Sequence, residues 1–598
     1  MALKSALTDP IESWEFKKNT PSIQLGSSDS DSQGFLLSSR AGKNGEGFEV
    51  LTVGDIACSP QELVSVLCSH DENDYNSAMK GLYGNQFIYG SVVHVLDHDE
   101  IPKNHKIVVR TGCFARSRLL ARNEQWCFLE YFQPSSDEGF SVSLLSLPER
   151  ELAAGKVIGN RVDQLDNISA LLVVDSIPTE SNDYPNKVRI IFHMLHGKGE
   201  RAVRLESART VRKRLMTLAE GIPRLPALVR RRRLGTQVFA SRSVSVSMST
   251  TNSEAQNTRC IACTKGLRLS TFMRIARRCE LCAYNVCSSC FSRENVETYN
   301  GRVEQIGVCK RCLEWVDRCN YSHIKKCGPA KVFDDSDRSL RGQSLRESLA
   351  VEYTKNATKR VIKMLLDVRS SNSTASNNTI ELDDEEKCMT IVEEYFCRRS
   401  ETAPAAEDCI LANAQERTYP LHPTNRSSPF APVPDNEVER LECIDKLGLM
   451  NFSDPVPELD VISSFLSREF GFQCAMITII GESHLLVLSS SVPELVQTLI
   501  PREHTFCQHL LMGNAPFIIQ NPEADIRFYN MDPVTLKGAM FYCGIPIVAS
   551  HGIMVGSICC IHTVPMDITR SQYDTLKRFG NIASEIIKMK AEMKLQDH

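Results

Sequence analysis

The chain has 598 residues, 42% hydrophobic and 24% charged, with a formal net charge of −4. That length exceeds a single core and calls for three or four domains, and the balanced charge argues against wholesale nucleic-acid binding, which needs a basic domain or patch. Residues 1–10 carry no apolar core of signal-peptide length and no run of about 18 apolar residues occurs to span a bilayer, so the 23 cysteines are expected in a reducing, cytoplasmic setting.

Residues 1–45 are polar, include the run Gly26-Ser27-Ser28-Asp29-Ser30-Asp31-Ser32, and are expected to be disordered. At Ser59-Pro60-Gln61-Glu62 a Ser cap precedes Pro in the first turn, which predicts a helix start. Strand-like runs rich in β-branched and aromatic residues follow at 87–96, 107–110, 126–132, 141–147, 170–176 and 187–195, and an amphipathic helix closes the region over 205–220. This is a helix-grip order. The stretch from Arg116 to Tyr131, RSRLLARNEQWCFLEY, resembles the R-D-x-x-x-x-E-Y region of START-like domains. The resemblance, placed on residues 46–235, implies an apolar tunnel for a sterol, phospholipid or other lipid between sheet and last helix; the same fold with a filled core is the alternative. Arg209, Arg212, Lys213 and Arg214, then Arg230, Arg231, Arg232 and Arg233, form a basic cluster. It suits an anionic membrane surface, nuclear import or a solvated linker. Residues 236–258, rich in Ser and Thr, are expected as a flexible connector.

Residues 259–320 carry four C-x2-C pairs: Cys260/Cys263, Cys279/Cys282, Cys287/Cys290 and Cys309/Cys312. Two thiolates on one tight turn supply half of a tetrahedral zinc shell, so the four pairs suffice for two ions in closed structural sites. Only four residues separate the second and third pairs, where a RING finger would place a His, which disfavours a ubiquitin ligase. The run RRCELCAYNVCSSC from Arg277, closed by Gly307-Val308-Cys309-Lys310-Arg311-Cys312, resembles the FYVE family of cross-brace fingers. The resemblance implies that pairs one and three share one ion and pairs two and four the other. Ordinary FYVE fingers bind phosphatidylinositol 3-phosphate through a W-x-x-D stretch, an R-K-H-H-C-R-type run and an R-V-C triplet. Here no W-x-x-D precedes Cys260, Arg277 and Arg278 replace the histidines, Glu280 replaces the following Arg, and Gly307 replaces the Arg of R-V-C. Arg277 and Arg278 are the remaining candidates for a lipid head group. Cys319-x3-His323-x3-Cys327 would fall on one face of a helix, as a further metal site or as ordinary side chains.

Residues 321–439 are expected to be a helical and disordered linker, with helices near 346–368 and 383–397 and a Pro-rich, polar connection over 403–434. Over 440–592 the phrases Thr505-Phe506-Cys507-Gln508-His509, Asp525-Ile526-Arg527-Phe528, Phe541-Tyr542-Cys543-Gly544-Ile545-Pro546-Ile547 and Gly552-x3-Gly556-Ser557-Ile558-Cys559 resemble GAF domains. That implies an antiparallel sheet with flanking helices, a pocket on one face and dimerisation through helices. The cyclic-nucleotide pattern N-K-x-x-F-D and a bilin-attachment context are both missing, and His509, Asp525, Arg527 and Tyr542 are the polar candidates for a ligand.

The expected whole is a multidomain α+β protein without catalytic motifs: a non-enzymatic adaptor or regulator with two zinc ions, a lipid-type pocket and a small-molecule-sensing or dimerising domain. The alternatives are a phosphoinositide-dependent protein peripheral on endosomal membranes, lipid transfer between membranes, and thiol-redox chemistry by Cys507, Cys543, Cys559 and Cys560.

Overall fold

The computed structural model describes residues 15–596 except 21–33, 42–46, 97–101, 117–120, 136–137, 149–154, 158–160, 179–186, 198–204, 245–256, 268–275, 299–301, 325–327, 336–341, 368–384 and 423–431. The chain folds as two compact units, the first Met1–Thr236 with Arg293–Ile306 and Leu313–Gly328, the second Gln237–Ser292, Gly307–Cys312 and Pro329–His598.

In the first unit an 11-stranded sheet runs through β1 (Glu15–Thr20), β2 (Phe35–Ala41), β3 (Phe48–Ala57), β4 (Phe87–Tyr89), β5 (Val92–Val95), β6 (Lys106–Phe114), β7 (Glu124–Pro134), β8 (Phe140–Ser146), β9 (Asp163–Gln164), β10 (Ile168–Ile177) and β11 (Lys187–His196). Its order is β1-β2-β3-β11-β10-β8-β7-β6-β4, with β5 on β6 and β9 on β7. Ser59 caps the helix Pro60–Leu67 reciprocally with Glu62, as its sequence predicts. The run 87–96 breaks at Gly90, where a Cβ would stand 2.4 Å from the Thr111 carbonyl oxygen. The helix Leu205–Gly221 packs on β2, β3 and β11, which is the helix-grip order. Leu215, Leu218 and Ala219 share one core with Phe48, Val50, Phe128, Phe140, Ile190 and Phe192.

Two expectations are corrected here. The N-terminal 45 residues are not wholly irregular, because β1 and β2 extend the sheet and Phe35 and Leu37 are buried in its core; the serine-rich run 26–32 lies outside the described residues. The basic cluster is only partly a surface feature: Arg209, Arg212 and Lys213 are exposed, but the second run is largely not. In the helix Leu225–Gly235, Arg230, Arg231 and Arg233 are buried, and they pair with Asp317 at 3.1 Å, Glu297 at 2.8 Å and Glu62 at 2.8 Å respectively. Burial alone would depress the Arg233 guanidinium, but Glu62 and Asp317 outweigh it and hold it charged.

The second unit opens with β12 (Phe239–Ala240) and the finger strands β13 (Ala276–Arg278) and β14 (Asn285–Cys287), which pair antiparallel. The hairpin of β15 (Phe291–Glu297) and β16 (Val303–Cys309) follows in the chain, and its residues Arg293–Ile306 belong to the first unit. The helix Lys310–Arg318 stops before Cys319, whose thiol donates to the Trp315 carbonyl. His323 is exposed and Cys327 lies outside the described residues, so Cys319 and His323 do not share the helical face their spacing predicts.

Next come β17 (Val332–Phe333), four α-helices among the described residues, and β18 (Glu416–Arg417). A six-stranded antiparallel sheet then forms from β19 (Cys474–Ile480), β20 (His484–Ser490), β21 (Leu499–Pro501), β22 (Phe517–Ile519), β23 (Phe541–Val548) and β24 (Met554–His562), in the order β21-β20-β19-β24-β23-β22. β25 (Ile568–Thr569) leads into the helix Arg570–Gln596 and pairs parallel with β17. One sheet face is covered by the helices Pro457–Phe470 and Arg570–Gln596.

The expected linker proves to be part of this body. The helices Gln343–Ala350, Glu352–Asp367 and Glu385–Cys397 add Leu345, Val361, Ile362, Val392 and Phe396 to the same core, and Phe396 stacks on Phe465 at 5.4 Å. An amphipathic stripe is visible in the sequence, but the surface that receives it is distant in the chain. The polar stretch near 403–422 is likewise docked: β18 pairs parallel with β12, and Arg417, Tyr419 and Leu421 are buried.

Candidate functional site

The eight finger cysteines gather as two sets of four, Cys260, Cys263, Cys287 and Cys290, then Cys279, Cys282, Cys309 and Cys312, each set with sulfurs within 4.8 Å of one another. Pairs one and three therefore interleave with pairs two and four, the cross-brace that the FYVE resemblance implies. Each of the first two pairs turns tightly. Thr264 and Ala283, the residues after Cys263 and Cys282, adopt positive φ of 60° and 73°, and their N–H groups donate to the carbonyls of Cys260 and Cys279 at 2.7 and 2.9 Å. Both thiols of a pair are thereby aimed to one side.

The donor set fits a tetrahedral metal. A shell with metal–sulfur bonds of about 2.3 Å sets its sulfurs about 3.8 Å apart; Cys263 and Cys287 are separated by 3.6 Å, and Cys279 and Cys312 by 3.8 Å. Main-chain N–H groups of Cys282 and Cys309 point at the Cys279 sulfur at 3.5 and 3.3 Å, and that of Cys312 at the Cys309 sulfur at 3.4 Å. Such donors favour thiolate over thiol. Among the described residues no third group of ligands accompanies these two.

The basic residues beside the metal sets behave unequally. Arg278 is turned inward, donating to the carbonyls of Ser241 and Val244 at 3.0 Å each, whereas Arg277 is exposed. The Glu280 carboxylate accepts from the Gly307 N–H at 2.6 Å. A Cβ at Gly307 would stand 2.3 Å from the Phe291 ring, so the Arg of an ordinary R-V-C triplet has no room while that ring holds its place.

His509, Asp525 and Arg527 come together on the sheet face opposite the two covering helices, Tyr542 lies on the same face, and all four are buried. Asp525 grips Arg527 with contacts of 2.6 to 3.0 Å, and the guanidinium lies over Phe528 and Phe517 at 4.8 and 5.5 Å. Burial, then the nearby Arg527 and Arg417, push the His509 imidazole well below its usual range, so it is neutral. Its Nδ1 meets the Tyr419 hydroxyl at 2.8 Å. Tyr542 belongs to a neighbouring set, with its ring 4.8 Å from that of Phe506 and its hydroxyl 3.5 Å from the Cys507 sulfur. Phe506, Leu510, Phe517, Phe528 and Met531 fill the remainder of this face.

Cys507, Cys543, Cys559 and Cys560 separate into two pairs. Cys507 and Cys559 meet on the aromatic face with sulfurs 2.7 Å apart. Cys543 and Cys560 are cross-strand neighbours on the helix-covered face, and burial pushes the Cys543 thiol up to about 12. A thiol relay through all four would have to cross the sheet.

Tyr419 and Arg417 are the residues that sequence reasoning misses. Arg417 is fully buried and donates to three main-chain carbonyls, those of Val238 at 3.0 Å, Tyr419 at 2.9 Å and Leu281. Burial lowers its guanidinium to about 10. One Arg and one Tyr in a polar, proline-containing stretch carry no periodic signal that would betray burial.

Comparison with known proteins gives one family match and several partial likenesses. The family model described as GAF domain matches residues 454–587. A cyclic di-GMP phosphodiesterase of Pseudomonas aeruginosa is 29% identical over 136 residues, and the match spans 22% of this chain and 22% of the length of that relative. A STAR-related lipid transfer protein from Xanthomonas axonopodis is similar at 12% identity, covering 36% of this chain and 99% of its own, with a TM-score of 0.25. Human StAR-related lipid transfer protein 5 gives 9% identity, 38% and 91% coverage and a TM-score of 0.26. The GAF domain of an Acinetobacter phosphoenolpyruvate-protein phosphotransferase gives 15%, 25% and 92%, and 0.20. The matched phrases, the six-stranded antiparallel sheet and the family model agree that residues 454–587 form a GAF domain.

Proposed function

We propose that this chain is a non-enzymatic adaptor or regulator that holds two zinc ions in a FYVE-like cross-brace finger and carries ligand-dependent information through its GAF and START-like domains. The carrying observation is the pair of four-cysteine sets, each supplying every position of a tetrahedral shell. A shell closed by four thiolates leaves no open position for substrate or activated water, which is the arrangement of a structural site. Zinc would hold the loops between the pairs, a segment too small to fold on its own apolar burial.

The finger acts in this reading as a scaffold for protein contacts rather than as a phosphatidylinositol 3-phosphate reader. Arg278 is spent on main-chain carbonyls, Glu280 brings a negative charge, and Phe291 occupies the space beside Gly307. The START-like domain binds a sterol, phospholipid or other lipid against the helix Leu205–Gly221, and the GAF domain binds a small molecule at the His509/Arg527 corner or pairs two copies of the chain. Phosphodiesterase activity belongs to a relative that this chain matches over a fifth of its length, and it forms no part of the proposal.

Metal analysis of the purified full chain, combined with liposome sedimentation, tests the proposal. Two zinc ions per chain and pelleting that follows only total anionic charge are expected. Selective pelleting with phosphatidylinositol 3-phosphate, abolished by Arg277→Ala, would replace the scaffold reading with an endosomal membrane reader.

A further inference from the structure

Residues 412–422 form a strap stitched at both ends within the second unit. On the GAF side, the Ala412 N–H donates to the Pro516 carbonyl at 2.9 Å, and the Asn413 amide donates to the Met512 carbonyl at 3.4 Å. The Asn413 carbonyl oxygen accepts from the Thr418 N–H at 3.0 Å, holding the turn closed. On the finger side, Arg417 donates to the carbonyl of Leu281, which lies inside the turn between Cys279 and Cys282. The Leu421 N–H donates to the carbonyl of Cys282 at 3.2 Å, and the His422 ring meets Tyr284 at 5.2 Å. Between these anchors Tyr419, 2% exposed, enters the GAF corner beside His509 and Arg527.

We propose that Tyr419 is an intramolecular ligand of the GAF domain, kept in its corner by the metal bound to Cys279, Cys282, Cys309 and Cys312. Formation of that metal site places the Leu281 and Cys282 carbonyls where Arg417 and Leu421 need them. Loss of the metal releases the turn, the strap loses its finger-side anchors, and the corner opens to an external ligand of matching chemistry, an aromatic ring bearing a hydroxyl. The coupling is reciprocal, so such a ligand would weaken metal retention by the same factor. The inference rests on the zinc and GAF-ligand readings above. It adds the class of ligand and the control over it.

Hydrogen exchange on the full chain, zinc-loaded and after chelation under reducing conditions, tests the coupling, with metal content measured in each sample. Removing zinc is expected to speed exchange at least tenfold over residues 413–421 and 505–512, and to leave Cys474–Ile480 and Arg570–Gln596 unchanged. Arg417→Met, still holding two zinc ions, is expected to exchange at 505–512 at the stripped rate with or without metal. Undiminished protection of 505–512 in that zinc-loaded variant would overturn the coupling. In zinc-loaded Tyr419→Gly, p-cresol is expected to restore protection at 505–512 while leaving wild type unaffected; no response in the variant would overturn the ligand assignment. Fewer than two zinc ions in wild type would overturn the finger reading itself, an outcome separate from failure of the coupling.

Discussion

Arginine is buried in both units, and the second unit adds a means that the first pairings do not use. In the first, Arg230, Arg231 and Arg233 meet the carboxylates of Asp317, Glu297 and Glu62. In the second, Asp525 holds Arg527 in the same way, whereas Arg417 donates to three main-chain carbonyls, and Glu523 is buried with no cation, among the described residues, against its carboxyl, which burial pushes up to about 7. A buried charge with a counter-charge keeps its ionised form, because Coulomb attraction offsets desolvation. One without it depends on hydrogen bonds or takes up a proton. Arg417 and Glu523 are therefore more sensitive to their surroundings than the paired arginines of either unit.

The largest expected effect comes from breaking a paired site. Arg233→Ala strands Glu62 in the core, while Asp317 keeps Arg230, and should cost about 3–5 kcal/mol in urea unfolding of the full chain. Joint replacement by Arg233→Met and Glu62→Leu should recover much of that loss, since no unpaired charge remains at Glu62.

Glu523 should give an opposite and pH-dependent result. With its folded carboxyl near 7 against about 4.5 unfolded, the native state binds more protons between those values. Stability from this group is then fully present below pH 4.5 and is lost as pH rises through 7, at about 1.4 kcal/mol per pH unit. Glu523→Gln should flatten the melting temperature against pH across that window and stabilise the protein by roughly 2–3 kcal/mol at pH 8; an unchanged slope would show that the carboxyl is ionised in the fold.

Arg417→Met leaves three carbonyls without a donor but strands no opposite charge, so its cost should be about 1–3 kcal/mol, below that of Arg233→Ala. Loss of the Ser59 cap sets the bottom of the scale. Ser59→Ala removes the acceptor for the Glu62 N–H and should cost about 1 kcal/mol by thermal melting.

Local chemistry was legible wherever it depends on spacing. The C-x2-C pairs announced two metal sets, the Ser-Pro start announced its helix, and the four phrases between Thr505 and Cys559 announced the GAF sheet. The long-range pieces were not. Arg230–Arg233 read as a surface patch because their acidic partners lie 66 to 171 residues away in the chain. The helices over 343–397 read as a linker because an amphipathic stripe does not name the face that covers it. His509, Asp525, Arg527 and Tyr542 were legible only as polar residues of the GAF-like phrases; that they share one sheet face, and that aromatic side chains and Tyr419 from a stretch read as linker close the corner, came from packing.

The amino-acid order by itself determined the cysteine pairs that can hold metal and the sheet patterns, because ligand spacing and residue periodicity act over a few bonds or a single turn. Only the tertiary structure decided which cations are neutralised, which thiols share a face, and that Tyr419 fills the GAF corner. Those outcomes depend on burial and on partners brought together by packing, and neither is written in any short stretch of the chain.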